Sequence, residues 1–114
     1  MNESYEQGKR DGAADYFNQI KKSIMICLSK NSSRQSVYEI LEMEKEELIR
    51  DYKDNSNYST GYVDGIFTYI ENIKSKMAES ITQKYDKQQL QAIVEIAHED
   101  FNENIKAKDE YDRE

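Results

Sequence analysis

The residues able to do chemistry are few, and they sit at helical spacing. Glu95-Ile96-Ala97-His98 is a Glu-x-x-His, the spacing with which carboxylate-bridged di-iron bundles hold their metals. Such a centre also needs a second Glu-x-x-His and one inward Glu from each remaining helix. The matching segment is Glu42-Met43-Glu44-Lys45, with Lys where the His should be, and Glu71 falls off the apolar row of its helix. The ligand set is incomplete. Glu42/Glu46 and Glu95/Glu99 are each one helical turn apart, but repulsion at that spacing is mild on an exposed face, where such pairs are common. His98 has no nucleophile beside it in sequence and reads as a surface or rim residue. Cys27, among Ile24, Met25, Ile26 and Leu28, reads as a small buried hydrophobe. There is no phosphate-binding glycine loop, no Cys pair and no nucleophile motif. These observations lead to the expectation of a non-enzymatic protein with no metal and no cofactor.

A different constellation organises the chain. Tyr5-Glu6-Gln7-Gly8-Lys9-Arg10-Asp11-Gly12 returns fifty-three positions later as Tyr58-Ser59-Thr60-Gly61-Tyr62-Val63-Asp64-Gly65. The match continues without a gap through Tyr16/Tyr69, Ile20/Ile73 and Lys21/Lys74. Self-similarity at a fixed period is the mark of a duplicated supersecondary unit. Further on, Val37 falls on Leu90, Ile40 on Ile93, Leu41 on Val94, Leu48 on Phe101 and Tyr52 on Ile105.

The elements that must position these residues are helices. The chain has 114 residues, no proline and four glycines, which favours an all-α fold. Its mean hydropathy of −0.99 is low, yet the apolar residues are periodic, as they are in folded helices. A first helix is expected to start near Asn2 to Ser4 and to run to about Lys30, opened by the capping-box pattern Ser4-x-x-Gln7. Asn31-Ser32-Ser33 ends it, and Ser33 caps a second helix over about 34–53. Asp54-Asn55-Ser56-Asn57 is a polar break between the repeats. A third helix runs from about Tyr58 to about Lys84. Asp86-x-x-Gln89 then opens a fourth, with Leu90, Ile93, Val94, Ala97, Phe101 and Ile105 on one stripe. The expected fold is a single all-α domain over 1–114, four helices made by tandem duplication of an αα-hairpin (residues 5–52 and 58–105). The repeats extend over 3–54 and 57–106, the charged end 107–114 frays, and the whole is bundle-like with pseudo-twofold symmetry.

Glycine inside a helix costs about 1 kcal/mol relative to alanine, so four at matching sites need a reason. Gly8/Gly12 and Gly61/Gly65 lie one turn apart, and small residues at that spacing let helix backbones approach. The i+4 rows continue through Tyr16, Ile20, Ile24 and Leu28, and through Tyr69, Ile73, Met77 and Ile81. The reading is that the glycine ends of helices 1 and 3 cross, with Gly8, Asp11, Gly12, Tyr16, Gly61, Asp64, Gly65 and Tyr69 forming the crossing. The alternative is that Asp11-Gly12 and Asp64-Gly65 are turns at which the helices begin. Asp11 and Asp64 read either as solvated carboxylates favoured by the helix dipole, as acceptors for a Tyr hydroxyl or an N–H across the crossing, or as ligand contacts.

The formal charge is −7, which disfavours general nucleic-acid binding. The acid is uneven: residues 34–54 carry four Lys/Arg against seven Asp/Glu, and 86–114 carry four against nine, whereas 1–33 carry five against four. One cysteine excludes an internal disulfide, and no segment has the length and apolarity of a membrane span or a secretory leader. A cytoplasmic, soluble protein is expected. The leading expectation is a helical protein–protein interaction module of adaptor, inhibitor or immunity type. It would engage another protein, basic in character, through Tyr5, Tyr58, Tyr62, Glu42, Glu46, Glu95 and Glu99. The alternative is a small-molecule binder with a Tyr-lined pocket where the two hairpins meet. A third reading is a DNA-associated regulator using Lys9, Arg10, Lys21 and Lys22. Homodimerisation also fits a chain built like a fused pair.

Overall fold

A computed structural model describes residues 3–28, 31–80 and 84–112, with side chains through Ile105. The order is α1 (Glu3–Cys27), β1 (Ser32–Ser33), α2 (Arg34–Ile49), α3 (Asn57–Glu79), β2 (Lys84–Tyr85) and α4 (Lys87–Asp112). The fold is all-α and bundle-like, with one two-residue antiparallel ladder in which Ser32 faces Tyr85 and Ser33 faces Lys84.

Local chemistry explains most helix starts. Ser33 and Ser56 sit in extended conformation ahead of α2 and α3, and their hydroxyls accept from the N–H groups of Ser36 and Ser59. At α4 the capping box is complete: Gln89 N–H donates to Asp86 Oδ1 at 2.8 Å, and Asp86 N–H donates to Gln89 Oε1 at 3.0 Å. The expected box at Ser4 and Gln7 does not form. Helix α1 has already begun at Glu3, and Gln7 Nε2 donates to Asp11 Oδ1 at 2.8 Å instead.

The helix ends are set by distant partners. Helix α3 stops at Glu79, short of the expected Lys84, because Ser80 turns extended and Tyr85 is drawn into the ladder. The Tyr85 side chain is buried and its hydroxyl donates to the Met77 carbonyl at 3.1 Å. Arg34 Nη2 reaches the same end, donating to Met77 O at 3.2 Å and Ser80 O at 3.5 Å. Correspondingly, Lys87 Nζ donates to Met25 O near the end of α1 at 2.8 Å. Each hairpin thus supplies a cation to the carbonyl end of the other hairpin's first helix, where the dipole favours positive charge. Helix α2 closes at Ile49, a few residues before the expected 53, and α4 continues to Asp112 through the stretch expected to fray.

The centre of the molecule is the pair α1 and α3, which run in the same direction: Tyr5 lies against Gly61 and Lys9 against Gly65. All four glycines are inside helices and none has positive φ, so the Asp-Gly pairs are not turns. What the glycines provide is the missing Cβ. A methyl carbon built on any of them would come within 3.0 Å of a carbonyl oxygen of the facing helix, Tyr58 for Gly8, Tyr62 for Gly12, Tyr5 for Gly61 and Lys9 for Gly65. The row continues into a buried core of Tyr16, Ile20, Ile24 and Leu28 on α1, and Tyr69, Ile73 and Met77 on α3; Ile81 lies outside the described residues. Helices α2 and α4 fill the two grooves beside this pair. Helix α2 meets α1 at Tyr16 and Gln19, whereas α4 meets it at Phe17 and Lys21. Val37 and Leu41 of α2, with Leu90, Val94, Ala97 and Phe101 of α4, close the core from either side. Cys27 corrects the sequence reading: it is exposed, because the row places Ile24 and Leu28 inward and leaves Met25, Ile26 and Cys27 outside.

Candidate functional site

The tyrosines and aspartates of the glycine motif meet across the α1/α3 seam. Tyr5 Oη donates to Asp64 Oδ2 at 2.6 Å, and Tyr58 Oη donates to Asp11 Oδ2 at 2.5 Å. The two bonds exchange equivalent partners, since Tyr58 and Asp64 stand fifty-three positions after Tyr5 and Asp11. Tyr62 Oη adds a third such bond to Asp15 Oδ2 at 2.6 Å. A phenol bonded to a carboxylate resists ionisation, because a second negative charge would face the first. The hydrogen bond to Asp64, with burial second, pushes Tyr5 up to about 12; the bond to Asp11 does the same for Tyr58.

Deeper in the seam, Tyr16 and Tyr69 meet edge to face at 5.8 Å. Their hydroxyls donate into their own hairpins, to Leu41 O at 2.7 Å and Val94 O at 2.8 Å. Both rings are fully buried, and burial raises both phenols far above their ordinary range. Gly8, Asp11, Gly12, Tyr16, Gly61, Asp64, Gly65 and Tyr69 are therefore brought together, with the Tyr16 and Tyr69 hydroxyls and at least one oxygen of each aspartate bonded within the molecule.

The remaining candidates are scattered over the surface. Glu95 lies 3.7 Å from Lys21 Nζ. The His98 ring stacks on Phe17 at 4.3 Å and 16°, and burial lowers its pKa. The Glu-x-x-His is thus divided between a salt bridge and a ring stack. Among the described residues, no group of three or more His, Cys, Asp or Glu is placed to hold a metal ion. Glu42 holds Lys45 at 2.7 Å and Lys74 at 3.8 Å, and its carboxyl is lowered mainly by the Lys45 hydrogen bond. Glu46 lies 3.5 Å from the same Lys45. Lys21 and Lys74, and Glu42 and Glu95, are again equivalent positions, so the two salt bridges correspond.

Two surface features remain. The outward face of α2 is a broad, shallow depression lined by Tyr38, Glu39, Met43, Glu46, Glu47 and Arg50, among others. Met43 stands 61% exposed within it. Next to it, Tyr52 stacks on Tyr62 at 3.9 Å and 10°, forming one wall of a cleft of about 440 Å³ that includes Asp15, Gln19 and Glu47.

Sequence reasoning missed several of these residues. Glu44 and Lys45 are buried although charged, Glu44 accepting from Gln19 Nε2 at 2.6 Å and Lys45 lying over the Phe67 ring at 4.8 Å. No pattern in the sequence announces them. Arg34 and Lys87 were visible as cations at the same repeat position directly after a helix cap, a signal that could have found the cross-capping. Comparison of the chain with protein-family models, with curated proteins and with solved structures gives no match.

Proposed function

We propose that this protein is a non-enzymatic helical module that acts by binding another protein through its acidic outer helices, in an adaptor, inhibitor or immunity-type role. The observation that carries the reading is the outward face of α2, where an exposed Met43 and a half-buried Tyr38 lie among Glu39, Glu46 and Glu47. An apolar contact ringed mainly by carboxylates, with Arg50 among them, suits a partner surface of positive charge, which charge steering brings in quickly. The glycine–tyrosine motif supports the reading indirectly, since its hydroxyls and backbones are occupied in holding the helices together.

Replacing Met43 with a photo-crosslinking amino acid in the producing cells tests it. The expected result is a covalent adduct with a discrete second protein, weakened when salt is raised during illumination. Absence of any protein adduct, together with a stoichiometric small molecule retained in native mass spectrometry, overturns it. A small-molecule reading has one observation of its own, the cleft walled by Tyr52 and Tyr62 where the two hairpins meet. Under that reading, Tyr62→Leu releases the retained molecule and leaves Met43 crosslinking absent from the start.

A further inference from the structure

The outer faces of α2 and α4 share, at equivalent positions, an exposed apolar residue followed by two carboxylates, and we infer that the chain is bivalent: each flank seats one basic, amphipathic helical segment of a protein partner. Met43 is the apolar contact on one flank and Ile96 on the other. This rests on the protein-binding reading above and adds its stoichiometry and the partner's chemistry.

Among the described residues, the large apolar side chains left exposed on the outer helices are Met43, at 61%, and Ile96, at 47%. They are equivalent positions, fifty-three apart. Each has carboxylates three and four residues further along, Glu46 and Glu47 beside Met43, and Glu99 and Asp100 beside Ile96. Residues at those offsets share one helix face. Each site is also edged by a matching salt bridge, Lys74–Glu42 at 3.8 Å and Lys21–Glu95 at 3.7 Å. These bridges fix Glu42 and Glu95 against the inner helices. Among the described residues, Glu47 and Glu99 have no ion-pair partner. Each flank therefore offers an apolar side chain with an uncommitted carboxylate one turn away.

That pattern is complementary to a helix carrying an aliphatic residue with Lys or Arg three or four positions along. It opposes a second copy of this chain, because two such faces brought together would set carboxylate against carboxylate. The sixteen residues of α2 make about 24 Å of helix at 1.5 Å per residue, room for roughly four turns of partner. Helices α2 and α4 lie in different grooves of the α1/α3 pair, so both flanks can be filled at once.

The test uses the full chain and a capped helical peptide of about four turns, with a leucine seam flanked by lysines, plus a control carrying Glu in place of each Lys. Titration calorimetry is expected to give two lysine peptides per chain and no binding of the control. Met43→Glu and Ile96→Glu should each remove one site, weakening it by about tenfold or more, with circular dichroism unchanged; the double variant should remove both. These variants add negative charge, so tighter binding in them would reduce the effect to bulk attraction and overturn the proposal. A stoichiometry of one, or loss of both sites by one substitution, overturns bivalence while Met43 crosslinking to a protein keeps the broader reading. A chain dimer in sedimentation that dissociates in Met43→Glu overturns the choice of occupant.

Discussion

Adding one methyl group at Gly12 or Gly65 separates two effects of opposite sign. In an ordinary exposed helix, Gly→Ala stabilises by about 1 kcal/mol. Here the new carbon would meet the carbonyl of Tyr62 or Lys9 inside 3.0 Å, and overpacking of that kind costs about 1–3 kcal/mol. Gly12→Ala and Gly65→Ala are therefore expected to lower stability in urea denaturation, and a gain would mean that the backbones are not in contact. The tyrosines give a second expectation at this scale. A folded-state pKa raised from 10.0 to about 12 at Tyr5 and Tyr58 means that the folded form holds protons the unfolded chain has lost. Their contribution is then complete below pH 10 and falls as pH rises from 10 through 12. Thermal midpoints measured across that window should decline, and the decline should be shallower in Tyr5→Phe/Tyr58→Phe. A flat profile would remove the phenol–carboxylate bonds from the account.

At the scale of the elements, the ends matter more than the middles. Arg34→Met should lower the melting midpoint by several degrees, because it removes the donor shared by Met77 O, Ser80 O and the Tyr85 hydroxyl. Arg34→Lys should recover part of the loss, since a cation at the carbonyl end is still favoured. An Arg34→Met midpoint equal to the parent's would leave α3 ended by the Ser80 turn alone. The same distinction shows what the sequence made legible. The caps at Ser33 and Asp86 were readable because a cap is satisfied within three residues. The glycine rows were readable because each was written twice. The end of α3 was not, since it depends on Ser32 pairing with Tyr85 and on Arg34, all distant in the chain. Buried Glu44 and Lys45 were hidden for a like reason: the groups that cover them, Gln19 for Glu44 and Phe67 for Lys45, lie on other helices, although the Lys45 ion pairs are local to α2. Cys27 was misread because neighbouring apolar residues suggested burial, whereas the helical row assigns one inward position per turn.

Across the whole molecule, the two hairpins hold each other by reciprocal contacts. Each glycine sits on a backbone carbonyl of the other hairpin, Tyr5 and Tyr58 exchange hydrogen bonds with Asp64 and Asp11, and Arg34 and Lys87 close each other's helices. The connection between them runs through exposed residues, Lys53 to Asn57. That connection is a tether whose thermodynamic effect is to raise the effective concentration of one hairpin near the other, to the millimolar range for a short linker. Cut between Lys53 and Asp54, the chain becomes two peptides that should each be poorly helical alone. Mixed, they should recover the helical spectrum with a midpoint that rises with concentration. A single hairpin that was fully helical in isolation would contradict this. The glycine seam thus works as the interface of a heterodimer whose subunits are kept on one leash, and affinity across it sets the stability of the fold.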